Sequence, residues 1–217
     1  MGSSDPRPAP LKVLVATSNQ GKLREFRRLS AGTGVELDSI SRFSELPVFE
    51  ENAATFAENS AGKALHYSAY TDQLVIADDS GLAVHALGGA PGVHSARYAG
   101  PNASARDRIN KLLDEVRSFS GDDRAARFVC VLTLARAGQA LVVFSATVEG
   151  FIAQQPQGSE GFGYDPVFVP QDPVSGLPAG KTFGELSDKE KDELSHRARA
   201  FRKLLDFLAR RQSNPAI

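Results

Sequence analysis

The chain reads as an α/β protein: a mixed, strongly twisted sheet with helices packed against it. Three observations predict this. Short apolar runs alternate with helically periodic segments in the order strand, helix, strand, helix, strand. Two long strand-like runs then flank the turn at residues 136–139, and such a hairpin makes the sheet mixed. The 217 residues are 41% apolar, enough for one large core, and carry no internal repeat or linker between independent units.

Residues 1–10, rich in Ser and Pro, read as a loose leader outside the fold, which leaves 11–217 as a single domain. The first strand and turn, LKVLVATSNQGKLREF from Leu11 to Phe26, pass from an apolar run through small polar residues into a helix over about Gln20 to Ser30. Leu23, Phe26 and Leu29 share one side of that helix. Val35 to Ile40 reads as a strand and is followed by an acidic loop with Glu45, Glu50 and Glu51. A second helix, about Ala54 to Ala69, puts Phe56, Ala57, Ala61, Ala64 and Leu65 inside, with Glu58 and Lys63 outside the stripe. Leu74 to Ala77 reads as a buried strand that stops at Asp78-Asp79-Ser80-Gly81. Gly88 to Gly100 holds too many turn formers for regular structure. A helix follows over Arg106 to Val116, then the hairpin strands Arg127 to Ala135 and Ala140 to Phe151. In GFGYDPVFVP, Pro166 restricts Asp165 to an extended conformation. The last helical segment opens on a capping box, Ser187 with Glu190.

A net charge of −1 argues against a binder of polymeric nucleic acid, which is normally basic. No run of about 18 apolar residues exists to span a membrane, and no secretory leader is legible. The single cysteine, Cys130 in FVCVLTLA, reads as a buried hydrophobe and fits a cytoplasmic protein.

Four constellations could carry chemistry. The turn Thr17-Ser18-Asn19-Gln20-Gly21-Lys22 offers backbone N–H groups and a helix N-terminus to a phosphate, although Ser18 or Asn19 as a simple cap accounts for the same residues. It matches neither GxxxxGK[ST] nor GxGxxG. Asp78 and Asp79 beside the Glu50-Glu51 loop are oxygen donors of the kind Mg²⁺ takes; both can serve one site only if the strand stops there, since successive strand side chains point to opposite faces. Phe162-Gly163-Tyr164-Asp165 leaves room for a planar ring against an aromatic, with Asp165 accepting from ring N–H groups; aromatics entering the core are the competing reading. Lys181 and Ser195-His196-Arg197 form the fourth. In an unbroken last helix Arg197 lies on the apolar stripe and needs a buried partner. If the helix instead breaks at Ser195, His196 and Arg197 turn toward a ligand.

Together the segments ATSNQGK, TFAENSAGKA, IADDSGLAVHALGGAPGVHSARYAG, GFGYDPVF and KTFGELSDKEKDELSHRA resemble, in order and over nearly the whole chain, the inosine triphosphate pyrophosphatase family. The resemblance implies hydrolysis of ITP, XTP and their deoxy forms to monophosphate and pyrophosphate. It implies an elongated mixed fold with two lobes around a central nucleotide cleft, a Mg²⁺ cofactor and a homodimer. By the same resemblance Thr17 to Lys22 hold the phosphates, Lys63 binds substrate, and Asp79, with Asp78 beside it, is the general base. Asp79 and Glu50 or Glu51 hold the metal, and Ser80 touches substrate. Phe162 to Asp165, Lys181, His196 and Arg197 surround the base and its sugar. The chain departs from the family pattern at Asn52-Ala53, where Thr-Gly is usual. A buried His196 or Arg197 donor would favour a 6-oxo purine over a 6-amino one. A pyrophosphatase for modified pyrimidine nucleotides, or a non-catalytic nucleotide sensor, are the competing functions.

Overall fold

The computed structural model describes residues 9–40, 45–171 and 180–213, with side chains to residue 211. The leader expected over 1–10 therefore lies, but for its last two positions, outside the described residues. The elements are β1 (Leu11–Val15), α1 (Gln20–Ser30), β2 (Val35–Ser39), α2 (Phe56–Ser68), β3 (Leu74–Val84), α3 (Ala105–Glu115), β4 (Ala125–Arg136), β5 (Gln139–Ile152), β6 (Phe168–Pro170), α4 (Asp188–Leu194) and α5 (His196–Ser213). They form a mixed α/β fold around one six-stranded sheet in the order β2-β1-β3-β4-β5-β6. β1 runs parallel to β2 and β3, whereas β3, β4, β5 and β6 alternate in direction. The β4–β5 hairpin closes on Ala137 and Gly138, both at positive φ, the backbone that a two-residue turn matching strand twist requires.

Unequal cover of β3 by its two neighbours leaves an opening in this sheet. β1 covers β3 only at Leu74 to Ile76, while β4 covers it from Val75 to Val84. Beyond Ile76 the β1 side of β3 is therefore open, and the turn leaving β1 passes beside it, with Ala16 N donating to Ile76 O at 2.7 Å. Apolar clusters lie to either side of that opening. One gathers Leu82, Phe128, Val148, Phe168 and Phe183 with Leu112 of α3; another gathers Val13, Phe26, Ile76, Leu132 and Phe201.

Several expectations are corrected. β3 does not stop at Asp79 but runs on to Val84, so Asp78 and Asp79 point to opposite faces. Gly81 is there for another reason: a Cβ would stand 2.5 Å from the carbonyl oxygen of Gly92, so glycine lets the 88–100 segment cross the strand. That segment is not irregular throughout, because Gly92–Arg97 forms a 3-10 helix. α2 buries Asn59, Ser60, Lys63, Ala64 and Ser68, whereas Ala57 is exposed; its inner face is polar because it packs against the site. Asp165 is not extended but opens a 3-10 turn, Asp165–Val167, its carboxylate pinned from both sides. The last helix does break at Ser195 (ψ 149°), whose Oγ accepts from Ala198 N at 3.2 Å. Cys130 is buried, and burial pushes its thiol up to about 12. Among the described residues no helix is long and apolar enough to cross a membrane.

Candidate active site

α1 begins where the sequence places it because Asn19 caps it: its Oδ1 accepts from Gly21 N at 2.9 Å and Lys22 N at 3.1 Å. Thr17 N is taken by Val15 O and Asn19 N by Thr17 Oγ1. The loop is thus largely satisfied within itself, and an incoming phosphate must compete with Asn19 for two of its donors. Ser18 and Gln20 are exposed beside it.

Lys22 reaches across the opening to Asp78, Nζ to Oδ2 at 2.8 Å. The same oxygen accepts from Ser80 Oγ at 3.0 Å and lies 3.7 Å from Arg197 Nε. Burial raises the Asp78 pKa, but Lys22, Arg197 and Lys63 outweigh it and hold the carboxyl well below its ordinary range. Its Oδ1 is buried without a partner.

On the opposite face Asp79 accepts from Asn59 Nδ2 at 3.0 Å. Its pKa moves the other way: burial is the largest cause, and the neighbouring Glu51 adds to it against Lys22 and Asn59. Lys63, expected on the outer side of α2, is buried instead; its Nζ pairs with the Glu51 carboxylate and donates to Asp78 O at 2.6 Å. Arg97 donates to Glu51 O at 2.8 Å, and Asn59 Oδ1 accepts from Ala53 N at 3.0 Å, which draws the acidic loop onto α2. Glu50, by contrast, is exposed and accepts from Asn52. Glu58 is occupied as the far end of the Thr55 capping box.

These carboxylates fit a hard cation. Glu51 stands close enough to Asp79 to disfavour the charge of Asp79, and both offer only oxygen. Among the described residues no group of three or more His, Cys, Asp or Glu forms a complete cage. Mg²⁺, which keeps waters and substrate oxygens, suits such a partial set.

The third wall is the aromatic-Gly segment. The ring of Phe162 lies so close to Gly21 that a Cβ there would stand 2.6 Å from it. Gly163 turns the chain at φ 65°. Tyr164 is buried and donates its hydroxyl to Ser95 O at 3.0 Å, so it braces the loop from below. Asp165 Oδ2 accepts from Phe162 N at 2.6 Å and from Lys191 Nζ at 2.5 Å. Both bonds fall on Oδ2, so the expected contact with ring N–H groups would have to be made by Oδ1.

At the start of α5, His196 is buried and stacked on Phe128, centroids 4.6 Å apart and planes 8° from parallel. Burial first, then Arg197 and Lys191, hold its pKa well below the usual histidine value, so the ring is neutral, and Nδ1 has no partner. Arg197 pairs with Glu25 and donates to Ser80 Oγ at 2.8 Å. Lys181 is half-buried next to the Thr182 cap of a short 3-10 turn.

Among the described residues, four buried charged or amide groups escaped the sequence reading: Glu25, Asn59 and Lys191 here, and Arg124 away from the site. The signal was present for Lys191, which sits three residues before Leu194 on the apolar side of its helix, where a lysine needs a partner.

Comparison with known proteins bears on this arrangement. A "dITP/XTP pyrophosphatase" of Geobacillus kaustophilus is 48% identical over 194 residues, 89% of this chain and 92% of that protein. One from Bacillus subtilis is 39% identical over 197 residues, covering 91% and 96%. The structure of a HAM1 protein from Coxiella burnetii superposes with a TM-score of 0.79 at 37% identity, covering 92% of this chain and 99% of that one. The model of the Ham1 family matches residues 13–207, which include the capped turn, the paired aspartates, the aromatic-Gly loop and the helix break. With the family model matching most of its length and these relatives agreeing in sequence and fold, this chain belongs to the Ham1 family.

Proposed function

We propose that this protein hydrolyses deaminated purine nucleoside triphosphates, ITP, XTP and their deoxy forms, to the monophosphate and pyrophosphate, with Mg²⁺ as cofactor. The observation that carries the reading is the meeting at Gly21. The Phe162 ring covers this residue, and the next one, Lys22, is ion-paired to Asp78 beside Asp79. Although Asp79 points to the other face of β3, Lys22 also acts on its charge, so a base platform, a phosphate cation and a carboxylate base lie around the same open edge of that strand. The names of the relatives at 39% to 48% identity support the same substrate class.

The residues divide the work. Phe162 supplies a face for the purine, and neutral His196 offers an N–H to a 6-oxo acceptor that a 6-amino group cannot use. Lys22, Lys63 and the Ser18 to Gly21 backbone draw in the triphosphate. Asp79 and Glu51 would hold the Mg²⁺, which when bound would neutralise phosphate oxygens. Asp79 takes the proton of the attacking water as the α–β anhydride breaks and pyrophosphate leaves. It suits that step better than Asp78, whose charge is locked by Lys22 and Arg197.

A homodimer in the cytoplasm completes the proposal. Beyond its pairing with β6 at Gly150 to Ile152, β5 has a long outer edge with exposed Leu141 and Val143, and sedimentation at assay concentration tests the dimer. The reaction is tested with a panel of nucleoside triphosphates and Mg²⁺, assayed for pyrophosphate against orthophosphate. ITP, XTP, dITP and dXTP should yield pyrophosphate well above ATP and GTP, with chelation abolishing it. Binding without release would make the protein a sensor, and preference for a modified pyrimidine would move the substrate.

A further inference from the structure

Asn59 is 0% exposed on the inward face of α2, and both ends of its amide are engaged. Nδ2 donates to Asp79 Oδ2 on β3 at 3.0 Å, while Oδ1 accepts from Ala53 N in the acidic loop, also at 3.0 Å. Lys63, about one helical turn further along the same face, repeats the pattern: its Nζ pairs with the Glu51 carboxylate and donates to Asp78 O at 2.6 Å. α2 therefore carries two parallel bridges between the acidic loop and the carboxylate strand, one ionic and one neutral.

The two bridges act differently on a cation. Lys63 holds Glu51 by charge, so it competes with any metal for that carboxylate. Asn59 brings no charge and draws the loop to Asp79 without such competition. An N–H donated to a carboxylate also favours its charged form, the form that a cation takes. The bond falls on Oδ2 alone, and among the described residues no other hydrogen bond falls on the Asp79 carboxylate. The loop is held at several points in sequence. Before Glu51, the ring of Phe49 lies so close to Gly62 that a Cβ there would stand 2.6 Å from it. At Glu51 itself Arg97 donates to the backbone oxygen at 2.8 Å. After Glu51 the hold is Asn59, and it is the one that also reaches Asp79.

We propose that Asn59 is a positioning residue for the metal carboxylates: by tying Ala53 of the acidic loop to Asp79 it presents Glu51 and Asp79 as a pair to the divalent cation that accompanies the triphosphate. It acts through those two carboxylates, since its own amide is spent on Asp79 and Ala53. Stability alone does not call for an amide here, because buried hydrogen bonds gain little over apolar groups of the same shape. An apolar side chain would fill the space but would orient neither Asp79 nor the loop. The proposal rests on the pyrophosphatase reading and deepens it, naming what assembles a cation site that is only partial by itself.

The test compares wild type with Asn59→Leu and Asn59→Ala in calorimetric binding of α,β-methylene-dITP, in which carbon replaces the scissile bridging oxygen. Each protein is titrated with Mg²⁺ present and again in EDTA, and its thermal midpoint is measured. The ratio of the two dissociation constants is the affinity that the cation contributes; the EDTA value reports every other contact. The expected result is a fall of about 10–100-fold in that ratio, the usual worth of a residue that orients metal ligands, with the EDTA value unchanged. Both variants should show it. Asn59→Ala, smaller and favourable in a helix, decides the matter alone if Asn59→Leu does not fold. An unchanged ratio in the folded variants overturns the proposal. So does an equal loss of affinity with and without Mg²⁺, which would mark a merely structural role. Wild-type protein that fails to bind the analogue, or binds it no better with Mg²⁺ than in EDTA, overturns the functional reading instead, before any variant is compared.

Discussion

Asp78 and Asp79 are adjacent in sequence and opposite in circumstance. Strand alternation sends Asp78 to the α1 and α5 side, among Lys22, Arg197 and Ser80, and Asp79 to the α2 side, beside Asn59 and Glu51. The cations hold one carboxyl well below its usual pKa, while burial and a like charge raise the other. Equivalent substitutions should therefore fail differently. Asp79→Asn should lose about 10²–10⁴-fold in kcat, the usual worth of a positioned base, with nucleotide binding measured by calorimetry largely retained. Activity within a few-fold of wild type would remove Asp79 from this role. Asp78→Asn leaves Lys22 and Arg197 facing a neutral amide in a buried site. It should cost about 3–5 kcal/mol of stability, as does removing one partner of a buried pair, and it should weaken triphosphate binding as Lys22 loses its anchor.

At the scale of elements, Gly81 shows how a residue can be read correctly as special and for the wrong reason. In the sequence it looked like the end of a strand; in the fold it is mid-strand and bare because Gly92 O and Ser95 Oγ crowd the place of a side chain. Gly81→Ala should then destabilise by about 1–3 kcal/mol through overpacking, read as a lowered urea midpoint. An unchanged midpoint would show that the 92–97 turn is free to move aside. The same contrast runs through the other elements. α1 was legible to its end residues because a cap and a 3.6-residue apolar stripe agree there. The face of α2 was not, because its inward side chains are Asn59, Ser60 and Lys63, and periodicity counts only apolar residues. Asp165 escaped the rule for residues before proline because two hydrogen bonds to its carboxylate override a local preference. The break at Ser195 was one of two readings; its extended backbone decides for the break, yet Arg197 still has the buried partners that the unbroken helix called for, Glu25 on α1 and Ser80 on β3. Those partners are 172 and 117 residues away in sequence, a separation no local pattern encodes.

For the whole molecule, the opening proposed for the nucleotide is an interruption in a sheet that is otherwise continuous. β3 contributes Ile76 to one apolar cluster and Leu82 and Val84 to the other; β4 likewise contributes Leu132 and Leu134 to the first and Phe128 to the second. The paired aspartates fall between, at positions where β4 still covers the strand and β1 no longer does. No cut along the chain separates the two cores, because either half would take the other's central strands with it. Ion pairs cross the same boundary, from Glu25 on α1 to Lys191 on α4 and from Lys22 to Asp78. Unfolding should therefore be a single cooperative transition, with calorimetric and van't Hoff enthalpies equal in the monomeric range of concentration. A ligand that binds only the closed sheet should move that one transition as a whole. Pyrophosphate with Mg²⁺ at about 100 times its dissociation constant would add about 2.7 kcal/mol and raise the midpoint without splitting it. Two resolved transitions, with ligand shifting only one of them, would show instead that the lobes fold independently and that the cleft is a hinge between separate units.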